Sequence, residues 1–445
     1  MTKPKGSNVM NLIGRIGAAA AFALSMTTAA NAATNIEFMF PAAVQGNLSS
    51  EMQHIVDEFN NTHADIHVSA VFSGSYGETL TKSMSAARVG RPPAVALESA
   101  NFIPNLAING FIENLGPYIS MDGSQPEVYM QAFWPALRPN AMLNGIVYAL
   151  PFQNSTPVLY YNKSLFKTAG LDPEKPPKNW SEWIADAKRL TNKQAGHWGV
   201  IIPTSNGSYL MWLLQSLAMA NGGQVYNTAY PGEVYLNQPS VVDAIRFWKN
   251  LSDKYEVMPK GVTAAGAGTA EFLAGKVGMI VLSTGSLGYI RSHAKFPLGV
   301  AFVPGHVRNA VPIGGGSLVM FKGLSPATRK AAWTFMQWMQ EPTQLGRWSR
   351  FTGYFAPREA VYGTPEMKQY LAQNATAKVA LEQLKYAHAW FAPYNVLEIR
   401  QAVVNNVQAV MTGQMSVEDA ALKSQQAAEK ILAPYVSHTL RVALR

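Results

Sequence analysis

Regular patterning begins at Ile36-Glu37-Phe38-Met39-Phe40, whose apolar positions predict a strand. Ser50-Glu51-Met52-Gln53 fits a capping box and opens a predicted helix with Ile55, Val56 and Phe59 on one face. His67 to Phe72 reads as the next strand, Tyr76 leads a helix, Ala94 to Leu97 is strand-like, and Ile103 to Ile108 is helical. This alternation predicts right-handed crossovers and a largely parallel sheet.

A second alternating series starts at "NSTPVLYYNKSLFKTAGLD", where Asn154, Ser155 and Thr156 stand at the entrance of the apolar run Val158 to Tyr161. So much hydrogen-bonding capacity ahead of a buried strand marks a border between core and something polar. Asn162 is placed to cap a helix from Lys163 to Ala169, and Gly170 to end it. Another helix starts near Trp180, and further strands fall at Val277 to Leu282, Gly299 to Val303 and Ser317 to Met320. The C-terminal part is helical, with a capping-box start at Ser416-Val417-Glu418-Asp419 and Ala421, Leu422, Ala428, Ile431 and Leu432 as its apolar face. The length, 445 residues, favours two domains, with no repeat at a fixed short period.

The first 32 residues stand apart from this pattern. Lys3, Lys5 and Arg15 precede an apolar run, and Ala30-Asn31-Ala32 supplies the small-x-small motif of a cleavage site. This predicts a signal peptide cut before Ala33, hence an exported chain that is not membrane-embedded, since no later segment reaches the ~18 apolar residues of a span. The absence of cysteine excludes disulfides, thiol chemistry and a lipidated cysteine at the cleavage site. The net charge of +9 is dispersed with no Lys/Arg block, and with export it argues against nucleic acid.

Catalytic and metal templates are not met. His63 and His67 flank a turn into a strand, Gly275-Lys276-Val277 lacks the Ser or Thr of a phosphate loop, and Gly314-Gly315-Gly316-Ser317 lacks the glycine spacing of a nucleophile elbow. What recurs instead is hydroxyls, glycines and aromatics at strand-to-helix junctions. Ser283-Thr284-Gly285-Ser286 before a helix start is either an anion site or a plain N-cap. Three glycines, 314–316, make either a simple turn or a place where a ligand touches backbone. Arg400, in an apolar and amide-rich helix, offers a planar donor fork for phosphate or carboxylate; the alternative is an ion pair with an acid such as Glu398. Trp180, Trp183 and Trp212 are core residues or stacking platforms. Tyr76 and Tyr354, each beside glycine, suit exposed loop phenols.

Four blocks, "NSTPVLYYNKSLFKTAGLDPEKPPKNW", "STGSLGYIRSHAKFPLGVAFVPG", "GGGSL" and "TGYFAPREA", in this order and spacing, resemble the periplasmic sn-glycerol-3-phosphate-binding proteins of ABC importers. These belong to the larger extracellular solute-binding family with maltose-binding relatives. The resemblance implies an α/β, two-lobed periplasmic binding protein fold, with a hinge that the chain crosses three times, near Phe152, Val311 and Thr352, and a ligand cleft between lobes. One lobe would comprise 33–152 with 312–352, the other 153–311 with 353–445. It implies a monomer without cofactor or metal that binds a phosphorylated polyol or sugar in the periplasm and hands it to the importer's membrane permease. By the same resemblance Tyr76, Ser155, Ser283, the Gly315 backbone, Tyr354, Arg400 and a cleft-edge tryptophan, Trp180, contact ligand. Where those proteins carry a glutamate for the polyol hydroxyls, this chain has Ala100, with Glu98 or Asn101 as the replacement. A neutral-saccharide binder resting on Trp180, Trp212 and the tyrosines, and a glycerophosphodiesterase, are the competing readings.

Overall fold

The computed structural model describes residues 33–205 and 207–443; the segment read as a signal peptide lies outside them. Nine strands build two sheets: β1 (Thr34–Phe40), β2 (Ile66–Phe72), β3 (Val95–Ser99), β4 (Leu150–Ser155), β5 (Pro157–Asn162), β6 (Trp198–Ile201), β7 (Val277–Ser283), β8 (Leu298–Phe302) and β9 (Gly314–Met320). The first sheet runs β2-β1-β3-β9-β4 and the second β8-β5-β7-β6. Every residue of β3, β5, β7 and β9 is buried, so helices cover these strands on both faces.

The parallel pairing expected of the first series holds for its strands, but each sheet as a whole is mixed. β1 pairs in parallel with β2 and β3, as the crossovers of the first series require. β9, however, returns to this sheet only after the second series is complete, and it lies antiparallel between β3 and β4. In the second sheet β5 is antiparallel to β7 and β8, and only β6 runs parallel to its neighbour β7.

Three local expectations shift. The first helix, Leu48–Thr62, starts before Ser50, so that Ser50 lies inside its first turn and the capping box does not form there; Ile55, Val56 and Phe59 are buried as the periodicity requires. A capping box does form at Ser75, whose hydroxyl accepts from the Glu78 N–H while the Glu78 carboxylate accepts from the Ser75 N–H, and it starts the helix Tyr76–Arg88. In the last helix, Val417–Ala443, Ser416 caps Asp419 and Ala421, Ala428 and Leu432 are buried, but Leu422 faces solvent.

A single residue, Thr156, separates the two sheets along the chain. Its carbonyl accepts from the Thr284 N–H at 3.0 Å and its hydroxyl from Gln383 Nε2 at 2.9 Å. The cluster Asn154-Ser155-Thr156 therefore divides its work. Thr156 locks the passage between sheets, the Asn154 carbonyl accepts from the Phe355 N–H at 3.0 Å, and Ser155 is left for the space between the lobes.

Candidate ligand-binding site

β4 and β7 end in serines, Ser155 and Ser283, and β9 begins in glycines. The register brings these termini together: Ser155 pairs with Gly314, and Pro157, just past the passage, pairs with Ser283. A cavity of about 240 Å³ opens at this junction, lined by residues of both sheets and of the helices that flank them. Ligands of α/β proteins bind at such strand ends because loops and helix starts there supply unsatisfied donors. Tyr76, Ser155, Ser283, Gly315, Tyr354 and Arg400 all line this cavity.

Each wall has a local cause. Gly315 has φ +95, a left-handed conformation that glycine adopts freely, and a Cβ there would stand 1.9 Å from the Gln153 carbonyl oxygen. Ser283 accepts the Gly285 N–H at 3.1 Å, so the capping alternative accounts for its acceptor, while its own proton remains to donate on the cavity side. Two glycines dock the Tyr354 loop: a Cβ at Gly285 would lie 2.5 Å from the Tyr354 ring, and one at Gly353 2.5 Å from the Thr284 carbonyl. Tyr76 and Tyr354 are buried, not exposed loop phenols, and burial pushes both hydroxyls upward in pKa, so both are neutral donors at physiological pH.

Arg400 lies in the second turn of the helix Val396–Met411, with its guanidinium 5.4 Å from the centre of the Phe102 ring. Burial pulls its pKa down to about 10, which leaves it charged at pH 7. Among the described residues that line the cavity it is the one charged side chain. The electrostatics of the cavity are thus those of a single buried cation among neutral donors, an arrangement that favours an anion.

Two expected residues lie elsewhere. Trp180 is buried in a stack, 3.9 Å from the Phe247 ring and 4.5 Å from His306, so both of its faces are covered by the protein and it does not border the cavity. Glu98 does not line the cavity and accepts the Ser83 hydroxyl at 2.7 Å in a fully buried setting. Burial raises its pKa to about 8, against the smaller opposing effect of Ser83, so at pH 7 it is a neutral acid. Asn101 is also buried and takes the Ser99 hydroxyl at 2.8 Å.

The Glu98 setting has a sign that can be measured. Between its ordinary value of 4.5 and about 8 the folded chain holds a proton that the unfolded chain has lost, so stability falls as pH rises through this window. Glu98→Gln, which is neutral throughout, should match wild type near pH 4 and exceed it by on the order of a few kcal/mol at pH 8. Urea denaturation at the two pH values tests this; parallel curves for the two proteins would contradict a protonated Glu98.

An aromatic wall completes the cavity, in which Trp212, a core residue or stacking platform by its sequence, is joined by Tyr209 and Trp390, which the sequence did not single out. Tyr209, Trp212 and Trp390 line the cavity, with Tyr209 and Trp212 edge to face at 5.6 Å. Trp212 Nε1 donates to the Ile313 carbonyl at 2.9 Å and Tyr209 accepts the Ser283 N–H at 2.6 Å, which ties the wall to the polar side. The aromatic run Trp390, Phe391 and Tyr394, ahead of the Arg400 helix, was the sequence signal available for Trp390.

A family model of bacterial extracellular solute-binding proteins matches residues 54–376. The chain belongs to this family. The sn-glycerol-3-phosphate-binding periplasmic protein UgpB of Pectobacterium atrosepticum is 30% identical over 429 residues, which cover 91% of this chain and 92% of that protein. Among solved structures, UgpB of Mycobacterium tuberculosis in complex with glycerophosphocholine matches with TM-score 0.81 at 24% identity, over 91% of this chain and 100% of that one. Maltose-bound MalE3 of T. maritima matches with TM-score 0.77 at 22% identity, over 90% and 100%. The two sheets therefore belong to the two-lobed binding-protein fold. As an extracellular solute-binding protein the chain is the ligand-capturing component of an ABC importer, not an enzyme, and its partners are a small molecule and a membrane permease. Among the described residues no helix is long and apolar enough to cross a membrane, and no group of three or more His, Asp or Glu is placed to hold a metal ion.

Proposed function

We propose that this solute-binding protein captures sn-glycerol-3-phosphate or a glycerophosphodiester in the periplasm and delivers it to its permease. The observation that carries the reading is Arg400, a buried guanidinium on a cavity whose other polar groups are hydroxyls, indole N–H groups and backbone. The names of its curated relatives point the same way. In this reading Arg400, Ser155, Ser283, Tyr354 and the Gly315 amide hold the phosphate, and Tyr76 meets the polyol side. Fixed donors replace the water shell of the anion, and closure of the lobes excludes solvent, which strengthens each bond. Ligand shifts the open-closed equilibrium by its preference for the closed form, the form the permease would recognise.

The lobes are proposed as 33–155 with 312–352 and 157–311 with 353–445, the first boundary moved from 152 to Thr156 because β4 runs on to Ser155 in the first sheet, in a monomer released by cleavage before Ala33. β1 begins at Thr34, directly after that point, which supports the cleavage site. N-terminal sequencing of exported protein should read Ala33 first; a chain starting within 1–32 would overturn it.

Calorimetric titration of the mature protein with sn-glycerol-3-phosphate, glycerophosphocholine and maltose in parallel tests the ligand. Binding of either phosphate compound supports the reading. Binding of maltose alone favours the second reading, a neutral saccharide laid against Tyr209, Trp212 and Trp390, and absence of binding in all three overturns the assignment.

A further inference from the structure

Gln153 does not line the cavity, yet it stands behind two of its walls. Its side chain is fully buried, and its Nε2 is 2.6 Å from the Tyr76 hydroxyl. Its carbonyl oxygen is the atom pressed against Gly315, and Gln153 pairs across the ladder with Gly316. A Cβ at Gly316 would meet the Tyr76 ring and hydroxyl at 3.1 Å, so the missing side chain there is what admits the phenol beside β4.

A phenol oxygen has one proton to donate and two acceptor sites. An amide N–H from Gln153 occupies the acceptor side of this oxygen, which turns the Tyr76 proton away from Gln153 and toward the cavity that its ring lines. We propose that Gln153 is a positioning residue that holds the Tyr76 hydroxyl as a fixed donor, so that the ligand atom at this corner is an oxygen acting as acceptor. The proposal rests on the reading of the cavity as a phosphate-solute site, and it adds a specificity element that no contact residue supplies. A hydroxyl free to rotate would accept or donate with equal ease; one whose acceptor side is held by a buried amide N–H rewards acceptors, and buried donors left unmet are costly.

Two substitutions separate this role from simple packing. In Gln153→Glu, titrated alongside wild type at about pH 9 so that burial does not leave the new carboxyl protonated as it does Glu98, a carboxylate can only accept, so it captures the Tyr76 proton and turns the donor away from the ligand. Affinity for sn-glycerol-3-phosphate or glycerophosphocholine, whichever binds wild type, should fall by about tenfold or more. Gln153→Leu keeps volume and removes the donor; it should lose about tenfold in the Tyr76 background and close to nothing when combined with Tyr76→Phe. Calorimetry on the four proteins of this cycle, with melting temperatures alongside, gives the result. Wild-type affinity in Gln153→Glu, or the same loss from Gln153→Leu with and without Tyr76→Phe, overturns the positioning role. In both cases wild type still binds, so the phosphate reading stands. Failure of wild type to bind either phosphate compound overturns that reading and the proposal with it.

Discussion

Arg400→Ala is expected to weaken binding of the phosphate ligand by about 2–5 kcal/mol, roughly thirty-fold to several thousand-fold in Kd, while maltose, if it binds at all, is unaffected. The size follows from where the charge sits. Arg400 is 8% exposed, and its lowered pKa reports the cost of burying the guanidinium. An anion that enters the cavity meets this charge with little intervening water, so each hydrogen bond is charge-assisted and poorly screened. Removing the arginine strands the anion among neutral donors, which cannot replace its hydration. Arg400→Lys should recover only part of the loss, because an ammonium lacks the planar fork for two phosphate oxygens. Calorimetry on the three proteins at one salt concentration checks this, and unchanged phosphate affinity in Arg400→Ala would remove the anion site.

How much of this was legible in the sequence depends on the range of the interaction that fixes each residue. Ser155, Ser283 and Gly315 sit at strand ends, where hydroxyls and glycines mark a turn or a helix start within a few residues. Local pattern finds such positions, and six cavity residues were found from local motifs and the family resemblance together. Trp390 depends on contacts that no local pattern encodes. Its N–H and carbonyl are held by the Asn140 side chain at 2.7 and 3.0 Å, and the neighbouring Ala389 and Phe391 by Gln215 at 2.9 Å each. Two amides far away in the chain thus read a short extended segment and set its ring beside the cavity. Trp180 was misplaced for the converse reason, since a helix-start tryptophan looks the same whether its faces are open or covered by Phe247 and His306. The family resemblance returned 312–352 to the first lobe, but the antiparallel direction of β9 there was hidden, because the orientation of a strand that rejoins a sheet after the whole second series leaves no trace in local periodicity.

Gly315→Ala should be the most damaging small substitution in the cavity wall, with a loss of about 2–5 kcal/mol in stability. Two effects combine in that figure. At φ +95 an L side chain is strained by its own backbone, and the added methyl would sit 1.9 Å from the Gln153 carbonyl oxygen and 3.0 Å from Asn154 Cα. Those atoms are backbone of β4, which pairs with β9 through Gly314, Gly315 and Gly316, so relief requires the two strands to part where the site is built. Ser155 and the Gly315 amide would move together, and ligand affinity should fall along with stability. Gly77→Ala is the matched control. Gly77 also lines the cavity, but nothing lies within 4 Å of its missing Cβ, and it occupies the first turn of a helix, where alanine is tolerated or favoured by up to ~1 kcal/mol. Urea denaturation of both variants, followed by titration with the phosphate ligand, separates steric cost from the mere addition of a methyl. Equal stability of Gly315→Ala and Gly77→Ala would mean that β4 and β9 can part at no cost, and that the glycine run is a flexible turn and not a backbone contact held against the ligand.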